Sequence, residues 1–514
     1  MTPTIERFIA QLRVEIQALG AQGGVLSPSI YDTAQVLRYA PPQDPRPAID
    51  WLLRQQRPDG GWAPEVLPLA RHIPTLAAVL ALRQSGGDSP EIRRAVERGI
   101  AFFRDHAGEW AFEGALPDDI PVAAELTLPR LLGEAAEAGI DLPQKPFQTV
   151  RALGDRRRGL IARMKPRKAT APIHGWESWG TAPDLAVLDE SGGVGNSPAA
   201  TAYWVHLHKA AFPDRSEERQ GAERFLRESA EASGAGIPGV VPTVWPIHHF
   251  EQSWCLYALF ITGLLNHPDL QDVVRPQLED LRQALRPKEG YGMSAHFVCD
   301  GDLTSTSIVT LKGAGYQMDG NQLSRYQLAD GQFITYEYEL QPSVTTTAHG
   351  VMALAELGKD VKGLVNWLLE KQGGDGRWMV DKWHISWLYT TSQVVLALIR
   401  AGATGALQTA VKALLETQRK DGGWGVAQVS TLSETSYAVQ ALLGLRTHAD
   451  FGALVRPALQ RAARWMLAQK EDVPPEQREH YWIGKELYRP YRLDRIFELS
   501  AMLALELNRD DLSR

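Results

Sequence analysis

The chain has 514 residues, 44% of them hydrophobic and 22% charged, with a formal net charge of −7. This composition suits a globular protein with enough apolar material for two domains, and the charge balance excludes nucleic acid or an anionic membrane surface as the main partner. Its two cysteines, Cys255 and Cys299, are too few for a disulfide framework and sit in no metal-binding spacing, so a reducing, cytoplasmic setting is expected.

From the N-terminus, MTPTIERFIAQLRVEIQALG mixes charged and apolar residues as an amphipathic helix and lacks the continuous apolar centre of a signal peptide. No apolar run approaches the roughly 18 residues of a membrane-spanning helix. The stretch AIDWLLRQQRPDGGW, ending at Trp62, reads as a helix followed by an Asp-Gly turn, and the same Q-x-x-D-G-x-W signature returns at Trp378 and Trp424. In each copy the Asp-Gly pair supplies the backbone freedom to end a helix and turn. The basic run from Arg151 to Lys168 reads as a solvated helix face, and EASGAGIPGVVPT, residues 231–243, as a domain boundary. TLAAVLALRQSGG, TTAHGVMALAELG, TTSQVVLALIRAG and ETSYAVQALLGL place apolar residues at three- and four-residue spacing, and no long segment alternates with period two.

Repeated helix pairs that each expose an apolar face must stack to bury it, and a stack that closes on itself is an α/α barrel. The sequence therefore predicts an all-α protein of two α/α-barrel domains, residues 1–235 and 236–514, with Trp62, Trp378 and Trp424 packing the turns. Within the second domain HFVCDGDLTSTSIVTL sets Asp300 and Asp302 one residue apart, ahead of hydroxyls and an apolar run. Taken alone, this D-x-D-x-T pattern is a helix N-cap.

A wider pattern reweights it. SIYDTAQVL (29–37), SPAATAY (197–203), DKWHISWLYTTSQVV (381–395), ETSYAVQAL (434–442) and YWIGKELYR (481–489) are similar, in colinear order, to stretches of bacterial class II diterpene cyclases. The Q-x-x-D-G-x-W turns resemble the QW motifs of terpene cyclases, and DGDLTSTSIVTLKGAGY resembles their D-x-D-D-T-A segment. The resemblance implies two α-barrels, γ then β, with the active site between them, and leaves open which barrel holds the N-terminal segment. It implies protonation of an isoprenoid alkene with the diphosphate retained, the expected substrate being geranylgeranyl diphosphate and the product a bicyclic diterpenyl diphosphate of labdane, halimane or clerodane type. Farnesyl diphosphate, as in drimenyl diphosphate synthases, is the alternative, and a non-catalytic isoprenoid carrier the remote one. A zinc-dependent protein prenyltransferase is excluded by the contexts of the two cysteines. No D-D-x-x-D motif occurs, so removal of the diphosphate falls to a downstream class I synthase or a phosphatase.

On the family pattern Asp302 is the proton donor and Asp300 its support. An ordinary aspartate is ionised at neutral pH, but burial and a like charge both favour the neutral form, and the two carboxyls hold a proton as a pair. His349, in SVTTTAHGV, resembles the histidine that contacts the acid in bacterial triterpene cyclases. Leu303 departs from the pattern, standing where a third aspartate or a threonine is usual, and is expected to make the site drier and shape it. Trp254, Trp383, Trp387, Tyr389 and Trp482 are the aromatic candidates for shielding carbocations. For the diphosphate, the resemblance implies Mg²⁺ on Glu177, with Asp184 and Glu190 behind it, and Lys485 and Arg489 as basic ligands.

Overall fold

The computed structural model describes residues 2–87, 89–339, 341–379, 381–469 and 478–512. It divides into a C-terminal unit, Met1–Ala21 with His248–Gln477 and Pro490–Arg514, and an N-terminal unit, Gln22–Ile247 with Arg478–Arg489. The chain thus changes unit after Ile247 rather than at the expected 235/236. The reason is local: the 231–243 segment runs along the helix Ile30–Tyr39, where the Val241 carbonyl accepts the N–H of Ser29 and its N–H donates to Thr33. The first helix, Pro3–Gln17, packs on Gln271–Gln283 and Tyr491–Leu507, in the C-terminal unit.

In the C-terminal unit six inner helices form a closed ring. His248–Ile261 packs on Gly301–Gly313, which packs on Val344–Glu356, then Trp387–Arg400, Leu432–Leu443 and Tyr491–Leu507, and the last returns to the first. Outer helices, among them Lys362–Glu370 and Gly452–Ala468, pack against this ring from outside. In the N-terminal unit Ile30–Tyr39, His72–Ser85, Ala124–Glu137, the 3₁₀ segment Ala171–Ser178 and Pro198–Ala211 close a similar ring. The α/α-barrel expectation therefore holds for both units. Among the described residues no helix is long and apolar enough to cross a membrane.

The repeated turns are the joints between outer and inner helices. Trp62, Trp378 and Trp424 are wholly buried. Their indole N–H groups donate to the carbonyls of Leu52, Leu368 and Leu414 at 2.7, 2.6 and 2.7 Å, which ties each turn to the helix it ends. Their backbone N–H groups donate to the hydroxyls of Thr75, Thr391 and Thr435 at 2.9, 3.0 and 2.9 Å, which ties each turn to the next inner helix. The turn glycines Gly60, Gly376 and Gly422 have φ of 94°, 86° and 103°, and a Cβ there would meet a backbone oxygen of the neighbouring outer helix at 2.6 Å or less. Glycine is required both by the left-handed backbone and by the close approach.

Two degenerate copies escape the sequence pattern. QLADGQF ends in Phe333, whose N–H donates to Thr347, with Gly331 at φ 91°. Tyr291 retains the aromatic position and the N–H bond to Thr304 at 3.0 Å. Among the described residues five inner helices thus carry a threonine that receives a turn aromatic's N–H, and Thr201 and Thr33 receive the N–H groups of Val194 and Val241 in the same way. We expect Thr391→Val, which keeps shape but removes the acceptor, to leave the Trp378 N–H buried without a partner and to cost about 1–3 kcal/mol, measured by denaturant unfolding.

Candidate active site

A helix turns 100° per residue, so positions two before and two after each turn-binding threonine lie on the opposite face, toward the ring interior. Counting from Thr304, Thr347, Thr391 and Thr435, these are Asp302 and Thr306, Thr345 and His349, Tyr389 and Gln393, and Ser433 and Tyr437. The interior bonds confirm the count. Asp302 Oδ1 lies 2.6 Å from His349 Nδ1, and His349 Nε2 lies 3.1 Å from Gln393 Oε1. Gln393 Oε1 also accepts the Tyr257 hydroxyl at 2.8 Å, from the helix His248–Ile261 across the ring.

The two aspartates have different jobs. Asp300 caps the helix Gly301–Gly313, its Oδ1 accepting the Leu303 N–H at 2.7 Å. Burial first, and then the neighbouring Asp302 charge, push its carboxyl well above the usual range, against the pull of the Leu303 N–H. Asp302, in the first turn, points inward, and its side chain is 12% exposed against 0% for His349. No hydrogen bond joins the two carboxyls, so the expected sharing of a proton within the pair gives way to a cap and an acid coupled through space. Leu303 is buried. It lies 100° around the helix from Asp302.

Aromatic rings surround the pair. Trp254 meets His349 edge-on at 4.9 Å and lies 6.5 Å from Tyr389 across the ring. Tyr389 is 5.1 Å from Tyr437 and stacks on His384 at 4.2 Å. Burial, with the Asp302 charge behind it, pushes the hydroxyls of Tyr257 and Tyr389 well above their usual range, so both remain protonated. Trp383 donates its indole N–H at 2.7 Å to Thr335, whose carbonyl accepts the Gly301 N–H. Trp387 lies elsewhere: four residues before Thr391 it shares the threonine's outward face, under the Arg377 guanidinium at 4.8 Å.

Trp482, Lys485, Arg489 and Glu177 belong to the N-terminal unit. Trp482 and Tyr488 pack together in a short hairpin. Arg489 is buried, its backbone paired with Ser27. Lys485 is wholly buried, with Nζ 2.6 Å from Glu177 Oε1, 2.5 Å from Ser197 Oγ and 3.8 Å from Asp32 Oδ1. Tyr31 donates its hydroxyl to the same Glu177 oxygen. Burial raises Asp32 to about 6 against the pull of Lys485, and raises Glu486 to about 8 against the N–H groups of Tyr31 and Ile30.

Glu177 and Lys485, expected on metal and diphosphate respectively, therefore hold each other. Asp184 caps a 3₁₀ turn, Glu190 pairs with Lys168 at the surface, and no cluster of three or more His, Cys, Asp or Glu among the described residues could hold a metal. Glu177 Oε2 is buried without a partner, but an ammonium already occupies the cation position beside this carboxylate. These residues do not fit a resident Mg²⁺. In the basic run, Arg157 and Arg158 pair with Glu125 and Asp155 on the helix Gln148–Met164.

Sequence reasoning missed Gln393, Tyr257 and Tyr437. The signal lay in the register from the turn threonines, which needed the degenerate copies to be visible.

A closed ring of inner helices, with an inward acid backed by a histidine and faced by aromatic rings, defines a class II terpene cyclase, and the chain belongs to the bacterial class II diterpene cyclase family. Residues 339–442 match the squalene-hopene cyclase C-terminal domain family. The chain is 41% identical to the (+)-kolavenyl diphosphate synthase of Herpetosiphon aurantiacus over 99% of both chains. It is 31% identical to the ent-copalyl diphosphate synthase of Streptomyces sp. KO-3988 over 94% of this chain and 93% of that one. Among solved structures, the ent-copalyl diphosphate synthase of Streptomyces platensis superposes with a TM-score of 0.80 at 27% identity, covering 98% of this chain and all of the other.

We expect Lys485→Met to strand Glu177 and Asp32 without a counter-charge and to cost about 3–5 kcal/mol. Glu177→Gln added to that variant should recover part of the loss, and Mg²⁺ should not, as read by unfolding midpoints. A second expectation concerns pH. Burial lowers His384 to about 3, from the ordinary 6.5 of a histidine. The stability linked to its neutral form is present above pH 6.5 and lost as pH falls toward 3. His384→Gln should therefore flatten the acid side of the stability curve by about 1.4 kcal/mol per pH unit between those limits, measured as the difference from wild type.

Proposed function

We propose that the protein cyclises geranylgeranyl diphosphate to a bicyclic diterpenyl diphosphate, starting by proton transfer from Asp302. The observation that carries this reading is the 2.6 Å contact between Asp302 Oδ1 and His349 Nδ1 inside an aromatic-faced ring. Asp302 Oδ2 makes no hydrogen bond among the described residues, and it is the oxygen available to carry the transferred proton. The Oδ2–H bond breaks as the terminal alkene's π electrons form a new C–H bond, leaving a tertiary cation on the substrate and a carboxylate on Asp302.

His349 stabilises that carboxylate through Oδ1, and Asp300 holds the helix start that aims it. The faces of Trp254, Tyr389 and Tyr437 then shield the migrating cation, whose π bonds close two rings before a proton leaves. Atoms are conserved and the carbon–oxygen bond to the diphosphate is untouched, so the product suits a downstream class I synthase or a phosphatase. The 41% identity to a kolavenyl diphosphate synthase makes that clerodane-type product the first to look for. A cytoplasmic location belongs to this reading, supported by the free, buried thiols of Cys255 and Cys299.

Purified protein incubated with geranylgeranyl diphosphate should give a bicyclic alcohol only after phosphatase treatment. Release of inorganic diphosphate without phosphatase would overturn the reading, and preference for farnesyl diphosphate in a parallel reaction would move the substrate to the C15 class. Asp302→Asn keeps the shape without the acidic proton, and turnover should fall by about 10²–10⁴ while the fold is retained by circular dichroism.

A further inference from the structure

The interior of the C-terminal unit contains a polar chain beyond the acid and its histidine. Gln393 sits wholly buried on the helix Trp387–Arg400, two residues after the turn-binding Thr391. Its Oε1 faces His349 Nε2 at 3.1 Å and the Tyr257 hydroxyl at 2.8 Å, whereas its Nε2 is buried and has no hydrogen-bond partner. The Tyr257 oxygen also lies 3.1 Å from Met352 Sδ. A phenol has one proton to give, and the shorter contact to the better acceptor takes it.

This pairing fixes which end of the amide meets the histidine. With Tyr257 donating, an oxygen of Gln393 is held at the junction, and an oxygen there requires N–H on His349 Nε2, since two lone pairs would otherwise face each other. Rotation of the amide would put an NH₂ group against both neighbours, force Nε2 to become an acceptor and transfer the N–H to Nδ1 in the neutral ring. The proton on His349 Nε2 is thus held by a chain that ends two side chains away, at the Tyr257 hydroxyl, whose ring also lies edge-on to His349 at 5.4 Å.

We propose that Gln393, oriented by Tyr257, is a positioning residue for the protonation step: its oxygen accepts the His349 Nε2–H while the ring, carrying a proton on each nitrogen, donates Nδ1–H to Asp302 Oδ1, so that the transferred proton sits on Oδ2 and the carboxylate it leaves is met by Nδ1–H. Gln393 acts through His349 and does not touch the substrate in this role. In the step itself the Asp302 Oδ2–H bond breaks and a substrate C–H bond forms. The Gln393 oxygen keeps the ring from turning or losing its Nε2 proton while the new carboxylate draws on Nδ1–H. The inference rests on the reading of Asp302 as the acid, but its first test is independent of turnover.

That test is nitrogen NMR on protein labelled with ¹⁵N-histidine, with the His349 signals assigned by their loss in His349→Gln. In the wild type both His349 nitrogens should show a directly bonded proton. Gln393→Met, similar in length and without an acceptor, should shift the His349 nitrogens toward a singly protonated ring, and Gln393→Glu should restore the wild-type pattern. In the cyclisation assay Gln393→Met should lose about tenfold to a hundredfold in kcat, a share of the ~10²–10⁴ carried by the acid, with KM unchanged and Gln393→Glu recovering most of it. Tyr257→Phe removes only the hydroxyl that orients the amide, and should reproduce the NMR change more mildly, which keeps the idea testable if Gln393→Met does not fold. An unprotonated Nε2 in the wild type, or His349 signals and kcat in both variants equal to wild type, would overturn the proposal. Wild-type NMR as expected in a protein that does not cyclise any isoprenoid diphosphate would leave the Gln393 hold on Nε2–H standing and remove the reading of Asp302.

Discussion

The hydrogen bond from a turn aromatic's backbone N–H to a threonine hydroxyl on the next inner helix is the constraint on which the rest of this architecture depends. It is made at Trp62, Tyr291, Phe333, Trp378 and Trp424. Both groups are buried, so either one left unpaired carries a desolvation penalty. Once the threonine is fixed on the outward face, the rotation of the whole helix is fixed, and with it which side chains enter the ring. The same bond that assembles the barrel therefore aims its chemistry. Thr304 of the acid motif is one of these joints: the motif's hydroxyl is structural, and the inward aim of Asp302 follows from it.

This register explains how the two units differ while sharing one plan. Around Thr75 the corresponding inward positions are Ile73 and Ala77, which lie in the apolar core of the N-terminal unit. Around Thr304 and Thr347 they include Asp302 and His349. Changing a few residues at fixed offsets from an unchanged joint converts a packed interior into a reactive one. The protein's burial of aromatic and polar groups together is consistent with this: the interior of the C-terminal unit bonds Gln393 to both Tyr257 and His349, with Trp254 edge-on to the imidazole.

Much of this was legible in the sequence because periodicity and the Asp-Gly turns report local physics directly. Helices, their turns and the repeat were readable from short segments, whereas the pairing of Asp302 with His349 was expected only from the family resemblance. What escaped depended on pairing between distant segments. Gln393 looks like any polar residue in a helix until Tyr257, 136 residues away in sequence, is seen across the ring. Trp387 matched a family segment but faces outward, because tryptophan content says nothing about which helix face is which. Glu177 and Lys485, each a reasonable ligand when read alone, cancel each other's charge once the hairpin near residue 485 is brought beside the 3₁₀ segment Ala171–Ser178. The boundary at 235 failed for a similar reason, since Gly and Pro mark a break in helix, not a break in contact.

That hairpin has a consequence for how the protein is made. The N-terminal unit takes its residues from Gln22–Ile247 and from Arg478–Arg489, and among the described residues its buried acids Asp32 and Glu177 find their ammonium in Lys485. A ribosome delivers the first stretch long before the second. Through the synthesis of some 230 intervening residues the early barrel must carry two carboxylates with no cation to accompany them, and it meets that cost by staying open to water or by keeping the acids protonated. The N-terminal half of this chain is thus first in translation and among the last to be completed, so an mRNA truncated anywhere before the codon for Lys485 yields neither barrel in finished form.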